Sequence, residues 1–118
     1  MMKQPQPTII ARTDQSVLLE MLLHEEIIWF QGHYPGHPIL PGVIQLQWAL
    51  HFGRHFLGTP IHCRVVDMIK FRKPLTVGNR IRLQLDWDSG ARRLPFVYHL
   101  HEDGQWVEAS VGKLRFPA

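Results

Sequence analysis

Pro41-Gly42-Val43-Ile44-Gln45-Leu46-Gln47-Trp48-Ala49-Leu50-His51-Phe52-Gly53-Arg54-His55-Phe56-Leu57-Gly58-Thr59-Pro60 is the stretch that decides the architecture. Proline is best tolerated at the first position of a helix, and none recurs between Gly42 and Leu57. Gly58, with Pro60 two residues on, is a stop signal. The stretch therefore predicts a helix over Gly42–Leu57. Its apolar residues Val43, Ile44, Leu46, Ala49, Leu50, Phe52 and Phe56 cover most of the circumference, leaving a narrow polar stripe of Gln47, His51, Arg54 and His55. A helix of this kind is wrapped by other structure rather than laid on a surface.

The flanking sequence says what wraps it. Upstream, Val17–His24 is aliphatic without a turn signal and reads as a buried strand, although periodicity alone leaves a short helix open. Glu25–Leu40 holds Gly32, Pro35, Gly36 and Pro38, too many breakers for a helix interior or a central strand, and reads as a shaped loop. Downstream the pattern changes to period two. Ile61–Phe71 sets Cys63, Val65, Ile69 and Phe71 against Lys70 and Arg72, and Ile81, Leu83, Leu85 and Trp87 alternate with Arg80, Arg82, Gln84 and Asp86. Two more strands, Leu94–His101 and Trp106–Phe116, are separated by Glu102, Asp103 and Gly104, which have turn chemistry. The expectation is an α+β fold of one long central helix wrapped by an antiparallel sheet of about five strands. Residues 1–14 read as a flexible N-terminal segment and 15–118 as a single domain.

Composition narrows the function. A chain of 118 residues with 45% hydrophobic and 19% charged residues builds one core and is not a disordered tail. A net charge of +3 is too small to imply nucleic acid but suits an anionic partner. The single cysteine, Cys63, excludes an intramolecular disulfide framework and reads as an inert buried thiol. No export signal is expected at the N-terminus, and the apolar run Val17–Leu23 is far short of the ~20 residues of a membrane span. A soluble, cytoplasmic protein is expected, with no membrane span.

Chemistry concentrates in Phe30-Gln31-Gly32-His33-Tyr34-Pro35-Gly36-His37-Pro38-Ile39-Leu40-Pro41-Gly42-Val43. A histidine sits in a proline-stiffened loop, and nine residues later Gly42 begins the apolar helix. Backbone N–H groups at a helix N-terminus suit negative charge such as an enolate-like oxygen on a carbonyl, and glycine lets a substrate approach the backbone. A neutral imidazole beside that spot is a base of suitable pKa for a proton α to the carbonyl.

That string resembles the active-site segment of the hot-dog-fold 3-hydroxyacyl-acyl-carrier-protein dehydratases, which reads G-H-F-P-x-x-P-[IV]-[FLM]-P-G-[VC] with an acidic residue further along the helix. Lys70-Phe71-Arg72-Lys73-Pro74 and Val77-Gly78-Asn79 resemble the family's K-F-R-R-P and P-G-D elements, so the likeness runs over roughly residues 15–116. Pro41-Gly42-Val43-Ile44-Gln45-Leu46-Gln47-Trp48-Ala49 is similar to the branch associated with aryl-polyene or specialised-lipid clusters. The resemblance implies dehydration of a (3R)-hydroxyacyl thioester to the trans-2-enoyl thioester, with no cofactor. It implies His33 as the catalytic base and Gly42 as the carbonyl-binding donor, with Tyr34, Pro41 and Val43 beside the substrate. It also implies a cis peptide between His33 and Tyr34, and a homodimer whose sheets join edge to edge, bringing Gln47 of one protomer within reach of the other's His33.

Gln47 departs from the family, which has Glu or Asp at this position. A carboxamide donates a hydrogen bond but gives up no proton at usable pH. Either His33 handles both proton transfers through Gln47 or water, or His37 or His51 stands in, or dehydration is lost. Two alternatives follow: a thioesterase in which Gln47 orients a water, and a non-catalytic subunit that holds an acyl thioester or pairs with an active partner. Lys70, Arg72 and Lys73, with Arg80 and Arg82 nearby, read either as a solvated face or as a dock for an acidic acyl carrier protein; coenzyme A is the other candidate thiol. The pairs His51/His55 and His99/His101 have spacings that offer a metal two ligands each but lack an accompanying glutamate, and no metal is expected.

Overall fold

A computed structural model describes residues 3–30, 38–63 and 65–117. Six antiparallel strands form one sheet: β1 (Thr8–Arg12), β2 (Ser16–Leu22), β3 (Val65–Phe71), β4 (Arg80–Asp86), β5 (Arg93–Glu102) and β6 (Gln105–Arg115), in the order β1-β2-β4-β5-β6-β3. Helix α1 runs over Gly42–Leu57, the range its sequence signals predict. Alternation explains the sheet's inner face: in β4 Ile81, Leu83 and Leu85 are buried and the residues between them are not. These side chains meet Leu19 and Met21 of β2, Phe96 and Tyr98 of β5, and the inward face of α1 (Ile44, Trp48, Ala49 and Phe52) in one hydrophobic core.

Both helix ends follow from local chemistry. Pro41 is the N-cap rather than the first helical residue; its carbonyl accepts the Ile44 and Gln45 N–H groups at 3.0 and 3.3 Å. At the other end Gly58 adopts φ 68°, and its N–H and that of Thr59 return to the Arg54 and Gly53 carbonyls, the left-handed ending that glycine accepts without steric cost. Of the apolar residues in the sequence reading, Ile44, Ala49 and Phe52 are buried, Leu46, Leu50 and Phe56 are half-buried and Val43 is 61% exposed, while the stripe Gln47, His51, Arg54 and His55 is exposed throughout.

Two elements differ from the sequence expectation. Thr8–Arg12, inside the stretch read as flexible, forms β1 and pairs antiparallel with β2, with Thr8 opposite Glu20 and Arg12 opposite Val17. All five of its residues are exposed, so the strand is held by ladder hydrogen bonds and leaves no alternating pattern to read. β3 begins at Val65 rather than Ile61, and a register irregularity between Asp67 and Lys70 interrupts its pairing with β6. As the sheet's other edge it leaves Val65, Val66 and Phe71 exposed, which blurs the predicted faces. No helix among the described residues is long and apolar enough to cross a membrane.

Candidate active site

The connection between β3 and β4 fixes the start of α1. Thr76–Asn79 is a tight turn in which the Asn79 N–H returns to the Thr76 carbonyl at 3.1 Å and Gly78 takes φ 90°, a conformation that favours glycine. Asn79 Oδ1 accepts from the Thr76 N–H at 2.8 Å, and the Gly78 N–H donates to the Leu23 carbonyl at 2.7 Å, locking the turn to the end of β2. Ahead of the turn, the Leu75 carbonyl receives the Leu40 N–H at 2.7 Å, and Ile39 bridges Thr76. These bonds deliver Leu40-Pro41-Gly42 to the sheet edge, which gives the Val77-Gly78-Asn79 element a physical role in placing the helix N-terminus.

At that N-terminus the Phe71 ring lies against Gly42; a Cβ there would stand 2.6 Å from Phe71 Cζ. Both residues line a cavity of about 360 Å³, together with Ile39, Leu40, Gln45, Pro74, Arg72 and Lys73. The first N–H groups of any α-helix have no intrahelical acceptor, so Gly42 brings main-chain donors and the positive end of the helix dipole to this space. Val43 projects to solvent beside it and Pro41 is half-buried.

Gln45 is the site residue that the sequence reading missed. It is 3% exposed, its Oε1 accepts from the Ser110 hydroxyl at 2.5 Å, and its main-chain carbonyl accepts from the Tyr98 hydroxyl at 2.6 Å. Burial pushes the Tyr98 phenol well above its ordinary pKa, so it stays a donor.

Gln47 faces elsewhere. It is exposed and lines a separate cavity of about 160 Å³ with Lys3, Gln4, Trp29, Trp48 and His51. The Trp29 and Trp48 indole N–H groups both donate to the Lys3 carbonyl, at 2.6 and 3.1 Å, strapping the N-terminal segment across this face of the helix. Among the described residues, Gly42 and Gln47 line different cavities. His33, Tyr34 and His37, and with them the His33–Tyr34 peptide bond, lie outside the described residues.

The five basic residues of the sequence reading divide into two groups. Arg72 pairs with Glu108 and Lys73 with Glu102, each at 2.8 Å, and Lys70 is exposed on the same strand end. Arg80 and Arg82 instead converge on Glu20 at 3.1 and 3.0 Å, and the Arg82 guanidinium lies 4.3 Å from the Trp106 ring centroid. The Arg82 hydrogen bond, reinforced by Arg80 and opposed by desolvation, holds the Glu20 carboxyl below its usual range. His51 is shifted down by burial and by neighbouring His55, whose ring stacks at 6.5 Å. Cys63 is half-buried rather than buried; its Sγ donates to the Val65 and Arg115 carbonyls, and burial pushes the thiol up. Among the described residues no three His, Cys, Asp or Glu side chains gather as a metal site.

A family model for the ApeI-like group, described as ApeI dehydratase, matches residues 9–111. The chain belongs to the ApeI-like dehydratase family. Among solved structures it is similar to a chain of the dehydratase heterocomplex ApeI:P from Xenorhabdus doucetiae, at 31% identity and a TM-score of 0.80 over 93% of this chain and 96% of that one. An uncharacterized protein from Erwinia carotovora subsp. atroseptica is similar at 32% identity and a TM-score of 0.78, over 93% and 94% of the two chains. The 3-hydroxyacyl-[acyl-carrier-protein] dehydratase FabZ of Syntrophobacter fumaroxidans is 37% identical over 65 residues, 48% of this chain and 44% of that protein. The chain spans about half the length of the curated relatives it matches. With the ApeI-like assignment, the hot-dog architecture expected from the sequence stands: one helix cupped by one antiparallel sheet.

Proposed function

We propose that this ApeI-like protein dehydrates (3R)-hydroxyacyl thioesters to trans-2-enoyl thioesters in fatty-acid or polyketide-like lipid synthesis. The observation that carries the reading is the start of α1 at Gly42, opening on a cavity walled by Phe71 and Pro74. The Gly42 N–H takes the thioester carbonyl, with Pro41, Val43 and Tyr34 flanking the substrate. His33 removes the α-proton, and the electron pair of the breaking C–H bond moves toward the carbonyl oxygen. Its return forms the double bond and expels the 3-hydroxyl, which leaves as water once it gains a proton. Gln47 orients that hydroxyl by a hydrogen bond but supplies no proton, so His33 returns the one it took.

The acyl group arrives on an acyl carrier protein docked at Lys70, Arg72 and Lys73. The placing of Arg72 and Lys73 on the cavity that Gly42 lines supports this, and their exposed ion pairs are weak enough to exchange for acidic groups of a carrier. Coenzyme A is the alternative carrier. The working unit is a homodimer joined along β3, whose exposed Val65, Val66 and Phe71 favour such an edge, and it operates in the cytoplasm without a cofactor.

A second reading, a subunit that depends on a different partner for its acid, is favoured by Gln47 and by the heterocomplex in which a 31% identical relative was solved. Incubating the protein with a 3-hydroxyacyl-carrier thioester, and following enoyl product and free thiol separately, tests both. Enoyl product that disappears in His33→Ala, and rises in Gln47→Glu, supports the dehydratase. Free thiol without enoyl product marks a thioesterase, and neither product marks a binding subunit.

A further inference from the structure

Gln45 occupies a place that an apolar residue would fill at lower cost. It lies on the buried face of α1 with Ile44, Trp48, Ala49 and Phe52, and is the large polar side chain on that face. Burying a carboxamide is unfavourable unless both its ends are satisfied. The Ser110 hydroxyl holds Oε1 at 2.5 Å, which fixes the plane and direction of the amide. Nε2, the other end, has no hydrogen-bond acceptor among the described residues, and Gln45 lines the cavity that Gly42 opens into. Residues three apart lie on one helix face, and helical side chains lean toward the N-terminus, so the Gln45 amide lies over the turn that Gly42 begins. An apolar fastener between helix and sheet would need neither the Ser110 bond nor an amine end at a cavity wall.

The geometry points to Gln45 as a second hydrogen-bond donor to the thioester carbonyl, acting with the Gly42 N–H, with Ser110 as the positioning residue that aims it. The assignment rests on the proposed chemistry at this site. As the α C–H bond breaks toward His33 and its electron pair shifts to the carbonyl oxygen, two neutral donors share the developing charge. When the pair returns to expel the hydroxyl, both relax. A carboxamide suits the role because it cannot lose a proton in a buried site, and because a donor fixed in advance needs no reorganisation as charge develops. Gln47, which the proposed chemistry sets at the departing hydroxyl, has no part in holding the carbonyl.

The test uses the full chain and crotonyl-pantetheine labelled with ¹³C at the thioester carbonyl. In the wild type, isotope-edited infrared spectra show the bound carbonyl band displaced to lower frequency than in water. Gln45→Met combined with Ser110→Ala removes both partners and leaves no orphaned hydroxyl. In it the displacement shrinks and kcat for hydration of the enoyl group falls about a hundredfold, the cost typical of one such donor, while KM changes little. Ser110→Ala alone, which keeps every apolar contact of α1, lowers kcat by a smaller factor because the amide is free to turn. An undisplaced band in the wild type, or displacement and kcat unchanged in both variants, overturns the assignment. Hydration that continues undiminished in the variants defeats the role of Gln45 and leaves the dehydratase reading standing. A displaced band that the variants lose, in a protein that hydrates nothing, does the reverse.

Discussion

Two glutamines, two residues apart on α1, meet opposite surroundings. Gln45 is buried against β5 and β6, its amide held by Ser110 and its carbonyl by Tyr98. Gln47 is exposed, in a small cavity closed by the strap of Lys3 and Gln4. Two steps of about 100° on a helix turn a side chain to nearly the opposite side, and here that rotation separates two kinds of chemistry. The inner face offers fixed, neutral donors that require nothing from outside the chain. The outer face offers polar groups whose geometry depends on what lies over them: the N-terminal strap in this chain, and a second chain in the proposed working unit.

The sharpest way to break this contrast is to place the same charge on both faces. Gln45→Glu puts a carboxyl into the core beside Ser110, where desolvation raises its pKa, costing about 3 kcal/mol at pH 7. The folded state then binds more protons than the unfolded state between the two pKa values, so stability falls as pH rises through that window. The penalty vanishes below about pH 4, where both states are protonated. Gln47→Glu on the open face changes stability by no more than about 0.5 kcal/mol at any of these pH values. Urea denaturation of both variants at pH 4.5 and pH 8 checks this, and equal costs would show that the two faces are not distinct.

The same contrast explains what could be read in advance. Strong local rules govern the helix limits and the β4 alternation: Pro41 and Gly58 bracket α1, and Arg80–Asp86 repeats with period two. The His33-to-Gly42 string pointed to a site through family resemblance alone, and its first five residues lie outside the described ones. Gln45 was not legible, because its meaning depends on Ser110, 65 residues away and brought opposite it only by the sheet. β1 was not legible because Ile9 and Ile10 are adjacent rather than alternating, and both are exposed at a sheet edge. Nor did the clustering of basic residues in sequence foretell their division, since β5 and β6 lie between β4 and β3 in the sheet.

A smaller effect sharpens the outer half of the comparison. The Lys3 carbonyl, which accepts both indole N–H groups, is also the carbonyl that trypsin must attack to cut after Lys3. Trp29→Phe removes the shorter of the two bonds and costs about 1 kcal/mol. It is expected to speed cleavage after Lys3 about fivefold, leaving cleavage within β4–β6 unchanged. Cleavage unaffected by the substitution would show that the strap is held by the Trp48 bond and packing alone.

The smallest expected effect is a pH response confined to the outer face. Burial, followed by the charge of His55, lowers the His51 pKa, and His51 Nε2 lies 3.4 Å from Gln4 Nε2 on the strap. In its neutral form the ring nitrogen can accept from that amide; once protonated it is a second donor facing a donor. Because the folded pKa lies below the unfolded value, the unfolded chain binds more protons in the window between them, so this contribution is present above pH 6.5 and is lost as pH falls. Ring-proton NMR should place the His51 midpoint below 6.5. In His55→Gln the midpoint rises part of the way, since desolvation remains when the like charge is gone. Wild-type protein should also lose slightly more thermal stability between pH 8 and pH 5 than His51→Gln does. A midpoint at or above 6.5 would show that the strap leaves the ring fully solvated, so that the outer face is as open at His51 as it is at Arg54 one turn further on.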